Sequence, residues 1–72
     1  MMVPGRVCVK VSGRDAGAKM VVVANVDDVF VEVVTRGGKR RKVNKRHLLP
    51  TEEVIEVEGM TDSDIAKKLE EA

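Results

Sequence analysis

The chain has 72 residues, 43% hydrophobic and 35% charged, with a formal net charge of +1. A domain of this size buries only about 60% of the surface its unfolded chain exposes, so it has room for one small core. The only aromatic residue is Phe30, which argues against any function built on stacking bases or rings. The longest uncharged aliphatic run, Met20 to Val26, is far short of the roughly 20 residues that span a membrane. Arg6 and Lys10 interrupt the first dozen residues, so no signal peptide is expected and the chain reads as soluble and cytosolic. Cys8 has no second cysteine to pair with, and Cys8 with His47 supplies too few soft ligands for structural zinc.

The small net charge hides a strong asymmetry. Residues 1–50 carry eleven basic and four acidic side chains, a balance of +7, whereas two basic and eight acidic side chains from Thr51 onward give −6. A basic body points to a polyanionic partner, and an acidic tail segment to solvent or to basic protein neighbours.

Along the chain, Arg6 to Val11 alternates with period two and predicts a strand, with Val7, Val9 and Val11 on one face and Arg6, Cys8 and Lys10 on the other. The segment Ser12-Gly13-Arg14-Asp15-Ala16-Gly17 is a loop whose glycines tolerate positive φ. Met20 to Val26, apolar and rich in β-branched residues, predicts a strand covered on both faces. A turn at Asp27-Asp28, a third strand through Val29, Val31 and Val33, and a turn at Arg36-Gly37-Gly38-Lys39 follow. The next segment is a short basic strand with Val43 inward and Arg41 and Lys45 on the same side, its long side chains laying their stems on the barrel. His47 to Pro50 is expected to plug the barrel end as a short turn, and Val54, Ile55 and Val57 to supply a fifth strand. Thr61 stands in N-cap position three residues before Asp64, and Ile65 and Leu69 share one face of the helix that follows. The fold class is therefore all-β: a small SH3-like five-stranded barrel over residues 1–58, with a short acidic C-terminal helix over residues 59–72.

The strongest chemical signal is Lys39-Arg40-Arg41-Lys42-Val43-Asn44-Lys45-Arg46, in which six of eight residues are cationic. Isolated charge runs are usually solvated surface. Six like charges along one strand repel one another, however, and phosphates would relieve that repulsion while releasing condensed counterions. Without aromatic platforms the mode of contact is backbone recognition of structured, double-helical nucleic acid rather than single-strand stacking. The only helix is acidic, which disfavours a helix reading the major groove. Gly37-Gly38-Lys39 fails as a phosphate loop, since Val33 stands where the first glycine is needed and Arg40 where Ser or Thr is needed. Cys8 and His47 lack an orienting third group for nucleophilic catalysis, so a packed cysteine and a surface histidine are expected and no enzyme is implied.

Taken together, these segments resemble a KOW-type ribosomal protein, the archaeal and eukaryotic large-subunit family called fourteen-e. Gly5-Arg6-Val7-Cys8-Val9-Lys10 is similar to its opening strand, and Gly13 to Gly17 to its KOW loop, with Gly17 at the defining glycine. Asp27 to Val31 resembles its central hairpin; Lys39 to Asn44, His47-Leu48 and Pro50-Thr51 resemble its basic strand and the turn after it. The connection before the basic strand, Thr35-Arg36-Gly37-Gly38, is shorter than the family's usual one, and the lack of long basic extensions resembles archaeal members. The resemblance implies a structural component of the large ribosomal subunit, in the cytoplasm, bound to ribosomal RNA and neighbouring ribosomal proteins, with no cofactor, metal, membrane or small-molecule substrate. The RNA contacts it implies are Arg6, Lys10, Arg14, Lys19 and Arg36 from the first strands and loops. From the basic strand and following turn it adds Lys39, Arg40, Arg41, Lys42, Asn44, Lys45, Arg46 and His47. A KOW domain of a transcription-elongation type factor and an SH3-like protein-interaction module are the alternative readings.

Overall fold

The computed structural model describes residues 3–14 and 16–71; Asp15 of the expected loop, with Met1, Met2 and Ala72, lies outside the described residues. Five strands, β1 (Arg6–Lys10), β2 (Lys19–Asn25), β3 (Phe30–Thr35), β4 (Arg40–Asn44) and β5 (Leu48–Val54), precede one helix, α1 (Asp62–Glu71). They form a single antiparallel sheet in the order β4-β3-β2-β1-β5. Cys8 of β1, Met20 and Val22 of β2, Val31 and Val33 of β3, Val43 of β4 and Leu48 of β5 share one buried cluster. The two outermost strands contribute Val43 and Leu48 to this same cluster, the arrangement of a curled sheet with the expected all-β, SH3-like shape. The sheet is not closed: β4 and β5 remain its edges.

The convex face has a core of its own. Val7, Val21 and Val34 form a second cluster with Ile65 and Leu69 of α1, bordered by Val23, Ile55, Val57 and Met60. The apolar run of β2 is thereby explained, since Val22 points into the barrel and Val21 under the helix, and both are fully buried. Thr61 starts α1: its Oγ1 accepts from the Asp64 N–H at 3.2 Å and its carbonyl from the Ile65 N–H at 3.0 Å. Ten residues are marginal as a free helix, and the burial of Ile65, Ala66 and Leu69 on the sheet stabilises this one.

Three sequence expectations are corrected. Strand β1 ends at Lys10, so Val11 lies beyond it, half exposed; of its two faces that of Cys8 enters the barrel, with the cysteine packed as expected, and that of Val7 is covered by α1. Alternation identifies two faces but not which of them is interior when a helix covers the other. The turn expected at His47 to Pro50 lies earlier, as one 3-10 turn over Lys45–His47, and Leu48 already opens β5. That turn is tied at both ends, Lys45 N–H donating to the Val29 carbonyl at 2.9 Å and Val11 N–H to that of His47 at 2.8 Å. Finally, β5 ends at Val54, which is exposed, while Ile55 and Val57 leave the strand to pack beneath the helix.

Candidate nucleic-acid interface

The β4 strand is an edge, and Arg40, Arg41 and Lys42 on it are all exposed. Cations on an edge also discourage strand addition by another chain, so their presence has a structural use beside any binding role. Register sets their directions. Val31 faces Val43 and Val33 faces Arg41, so Arg41 lies on the barrel-interior side of β4. Val34 faces Arg40 and Glu32 faces Lys42, so these two basic residues lie on the helix side.

The two sides differ electrostatically. On the helix side the Arg40 guanidinium forks onto Asp62, Nη2 to Oδ1 at 2.7 Å and Nε to Oδ2 at 3.3 Å, and Nη1 donates to Glu32. Those carboxylates raise the Arg40 pKa further, Asp62 first, and the hydrogen bonds from Arg40 hold Asp62 below the usual aspartate range. Lys42 places Nζ 5.0 Å from the centroid of the half-buried Phe30, a cation–π contact that covers the one aromatic ring. On the interior side, Arg41 meets Lys19 of β2 and Arg36 of the β3–β4 turn around a pocket of about 210 Å³, completed by Ala18, Met20, Thr35 and Gly37. The turn is held by Gly38 N–H to the Thr35 carbonyl and Thr35 N–H to the Lys39 carbonyl, both 2.9 Å, with Gly38 at φ 80°.

At the other end of β4, Asn44, Lys45 and Arg46 line a second pocket of about 360 Å³ with Asp28 and Val29. Asn44 caps the 3-10 turn, its Oδ1 accepting from the Arg46 N–H at 2.9 Å. Asp28 sits in a turn held by Asp27, whose Oδ1 accepts from the N–H groups of Val29 (2.7 Å) and Phe30 (2.8 Å). Those two bonds, Phe30 first, draw the Asp27 carboxyl below its ordinary value.

The remaining expected contacts are dispersed. Arg6 donates through Nη1 to the Thr51 carbonyl at 2.7 Å, and Thr51 Oγ1 donates to the Val7 carbonyl at 2.7 Å, so Arg6 fastens β5 to β1. Arg14 is exposed in the β1–β2 loop, Lys39 in the β3–β4 turn, and His47 at the end of the 3-10 turn, while Lys10 is half-buried at the end of β1. Gly13 (φ 89°) and Gly17 (φ 91°) both take the left-handed backbone the loop requires, and Gly17 N–H donates to the Lys10 carbonyl at 2.6 Å. A side chain at Gly17 would meet nothing within 4 Å, so its φ alone calls for glycine there.

Sequence reasoning missed Gly5, singled out only as part of a resemblance. At φ 94° it lies so close to Ile55 that a Cβ would fall 2.0 Å from the Ile55 carbonyl oxygen. Reasoning from composition also missed the commitment of Arg40, because a charge run does not reveal which member faces a carboxylate.

Catalysis finds no footing at the candidate pair. Cys8 is fully buried, and burial pushes its thiol pKa up, away from the nucleophilic thiolate. Among the described residues no group of three His, Cys, Asp or Glu side chains is placed to hold a metal. No described helix is long and apolar enough to cross a membrane.

No protein-family model matches the chain. Curated relatives do: a protein of Saccharolobus islandicus named large ribosomal subunit protein eL14 is 49% identical over 73 aligned residues, covering 94% of this chain and 76% of its own length. Its namesake in Saccharolobus solfataricus shows the same identity and coverage. That of Metallosphaera sedula is 46% identical over 72 residues, 93% of this chain and 75% of its own.

Proposed function

The chain belongs to the eL14 family of large-subunit ribosomal proteins, and from that premise we propose that it is a non-catalytic structural component of the large ribosomal subunit in the cytoplasm. It binds structured ribosomal RNA through the basic edge strand β4 and the loops at its two ends. The observation that carries the reading is the exposed cationic edge: Arg41 and Lys42 project to opposite sides of β4, with a cation-lined pocket at each end of the strand. Recognition is of backbone and shape, since Phe30 is covered by Lys42 and offers no stacking platform. The same covering leaves the described surface without the aromatic-lined groove that a peptide-binding module of this fold would use. The relatives carry ribosomal names, so they lend no support to the elongation-factor alternative. Neighbouring ribosomal proteins are the expected partners of the acidic face of α1.

Sedimentation tests the proposal. The tagged chain, added to large subunits depleted of their own copy, is expected to travel with them through a sucrose gradient. A chain that stays at the top of the gradient while refolded and monomeric contradicts it.

A further inference from the structure

We propose that the pocket between β2, the β3–β4 turn and β4 is a seat for one RNA backbone phosphate, held by Lys19, Arg36 and Arg41, and that Arg40 takes no part in it. The inference deepens the RNA-binding reading and rests on it. Three cations from three separate segments line this pocket, and no carboxylate does. Among the described residues, none of the three side chains has an ion-pair or hydrogen-bond partner. Their neighbour Arg40 has two carboxylates, one gripped by a bidentate fork. Gathering three uncompensated cations around one pocket raises the electrostatic energy of the fold unless an anion enters among them. A phosphate diester fits the chemistry: it presents two anionic oxygens to guanidinium groups that bind such oxygens in pairs, and a lysine adds a point charge.

The fold keeps the cradle in place. Met20 pairs with Thr35 and Val33 with Arg41, so Lys19 and Arg41 stand on paired strands and Arg36 follows directly on the paired end of β3. The Thr35–Lys39 turn is closed by two backbone bonds and by Lys39 N–H donating to Thr35 Oγ1 at 3.3 Å. The second pocket differs, because Asp28 stands among its lining residues and opposes a phosphate there.

The test is a salt titration of full-chain binding to a structured RNA duplex, with NMR of the free protein under added inorganic phosphate. The Lys19→Gln, Arg36→Gln and Arg41→Gln changes are each expected to flatten the slope of log affinity on log salt, and combined to flatten it by about 1, the share of one neutralised phosphate. Arg41→Lys keeps the charge and is expected to retain the slope, and Arg40→Gln leaves it unchanged. Phosphate is expected to shift the Thr35, Arg36 and Gly37 amides in the parent and not in the Arg36→Gln, Arg41→Gln double variant. If the three Gln variants keep the parental slope while Lys42→Gln and Lys45→Gln flatten it, the RNA reading stands and this pocket assignment is overturned. If the parent itself binds with no salt dependence, the RNA reading and the pocket fall together.

Discussion

Arg40 of the basic strand and Asp62 of the acidic helix are joined by a two-pronged guanidinium–carboxylate contact, at 2.7 and 3.3 Å. The two halves of opposite charge are thus not independent. The most basic segment of the chain gives one of its cations to hold the first turn of the most acidic one. Asp62 sits at the helix start, where the macrodipole also favours a negative charge. Isolated surface pairs contribute little, but bidentate geometry with a third partner, Glu32, is the arrangement in which such contacts matter.

Acid titration should reveal this contact. The folded pKa of Asp62 lies below its unfolded value, so its contribution is complete above roughly pH 5 and is lost as pH falls through the folded value. Asp27 follows the same sign. Denaturation of the parent and of Asp62→Asn should show a stability gap that is constant between about pH 5 and 7 and narrows on acidification. A gap independent of pH down to the acid transition would remove the charge from the explanation.

The helix is expected to be part of the fold's stability. Leu69, 1% exposed, packs with Val7, Val21 and Val34, and Leu69→Ala should cost about 2–5 kcal/mol in urea unfolding. Removing residues 61–72 would strip this cover from three valines, so the acidic charge is better probed at exposed positions. Glu70→Gln with Glu71→Gln should leave stability nearly unchanged and RNA affinity equal or raised, as measured by melting and filter binding.

The two glycine positions should separate by cause. Gly17→Val meets open space and should cost about 1–3 kcal/mol through its positive φ alone. Gly5→Val carries similar strain and also drives a Cβ into the Ile55 carbonyl, adding about 1–3 kcal/mol of overpacking. Thermal melts that rank Gly17→Val as the worse variant would contradict this.

What the sequence made legible follows from periodicity. Strand β2 reads correctly because an uninterrupted run such as Val21-Val22-Val23 states that both faces are covered, and Thr61 to Leu69 reads correctly because cap and i,i+4 spacing are local. Which face of β1 is interior was not legible, for the converse reason. This strand also has two covered faces, but only one of them alternates visibly, and the helix that covers Val7 comes more than fifty residues later. The basic strand was legible as chemistry and not as geometry: Arg40 and Arg41 are adjacent and identical, and only the β3–β4 register and the docking of α1 turn one toward Asp62 and the other toward Lys19 and Arg36.

Binding of the full chain to a structured RNA duplex across a range of salt concentrations tests the central claim most directly. With about five phosphates neutralised, log affinity should fall with log salt at a slope near −4, by analogy with duplex DNA, and the duplex should be preferred over an unstructured homopolymer of equal length. A slope near zero, or preference for the homopolymer, would contradict RNA-backbone recognition by the basic edge strand.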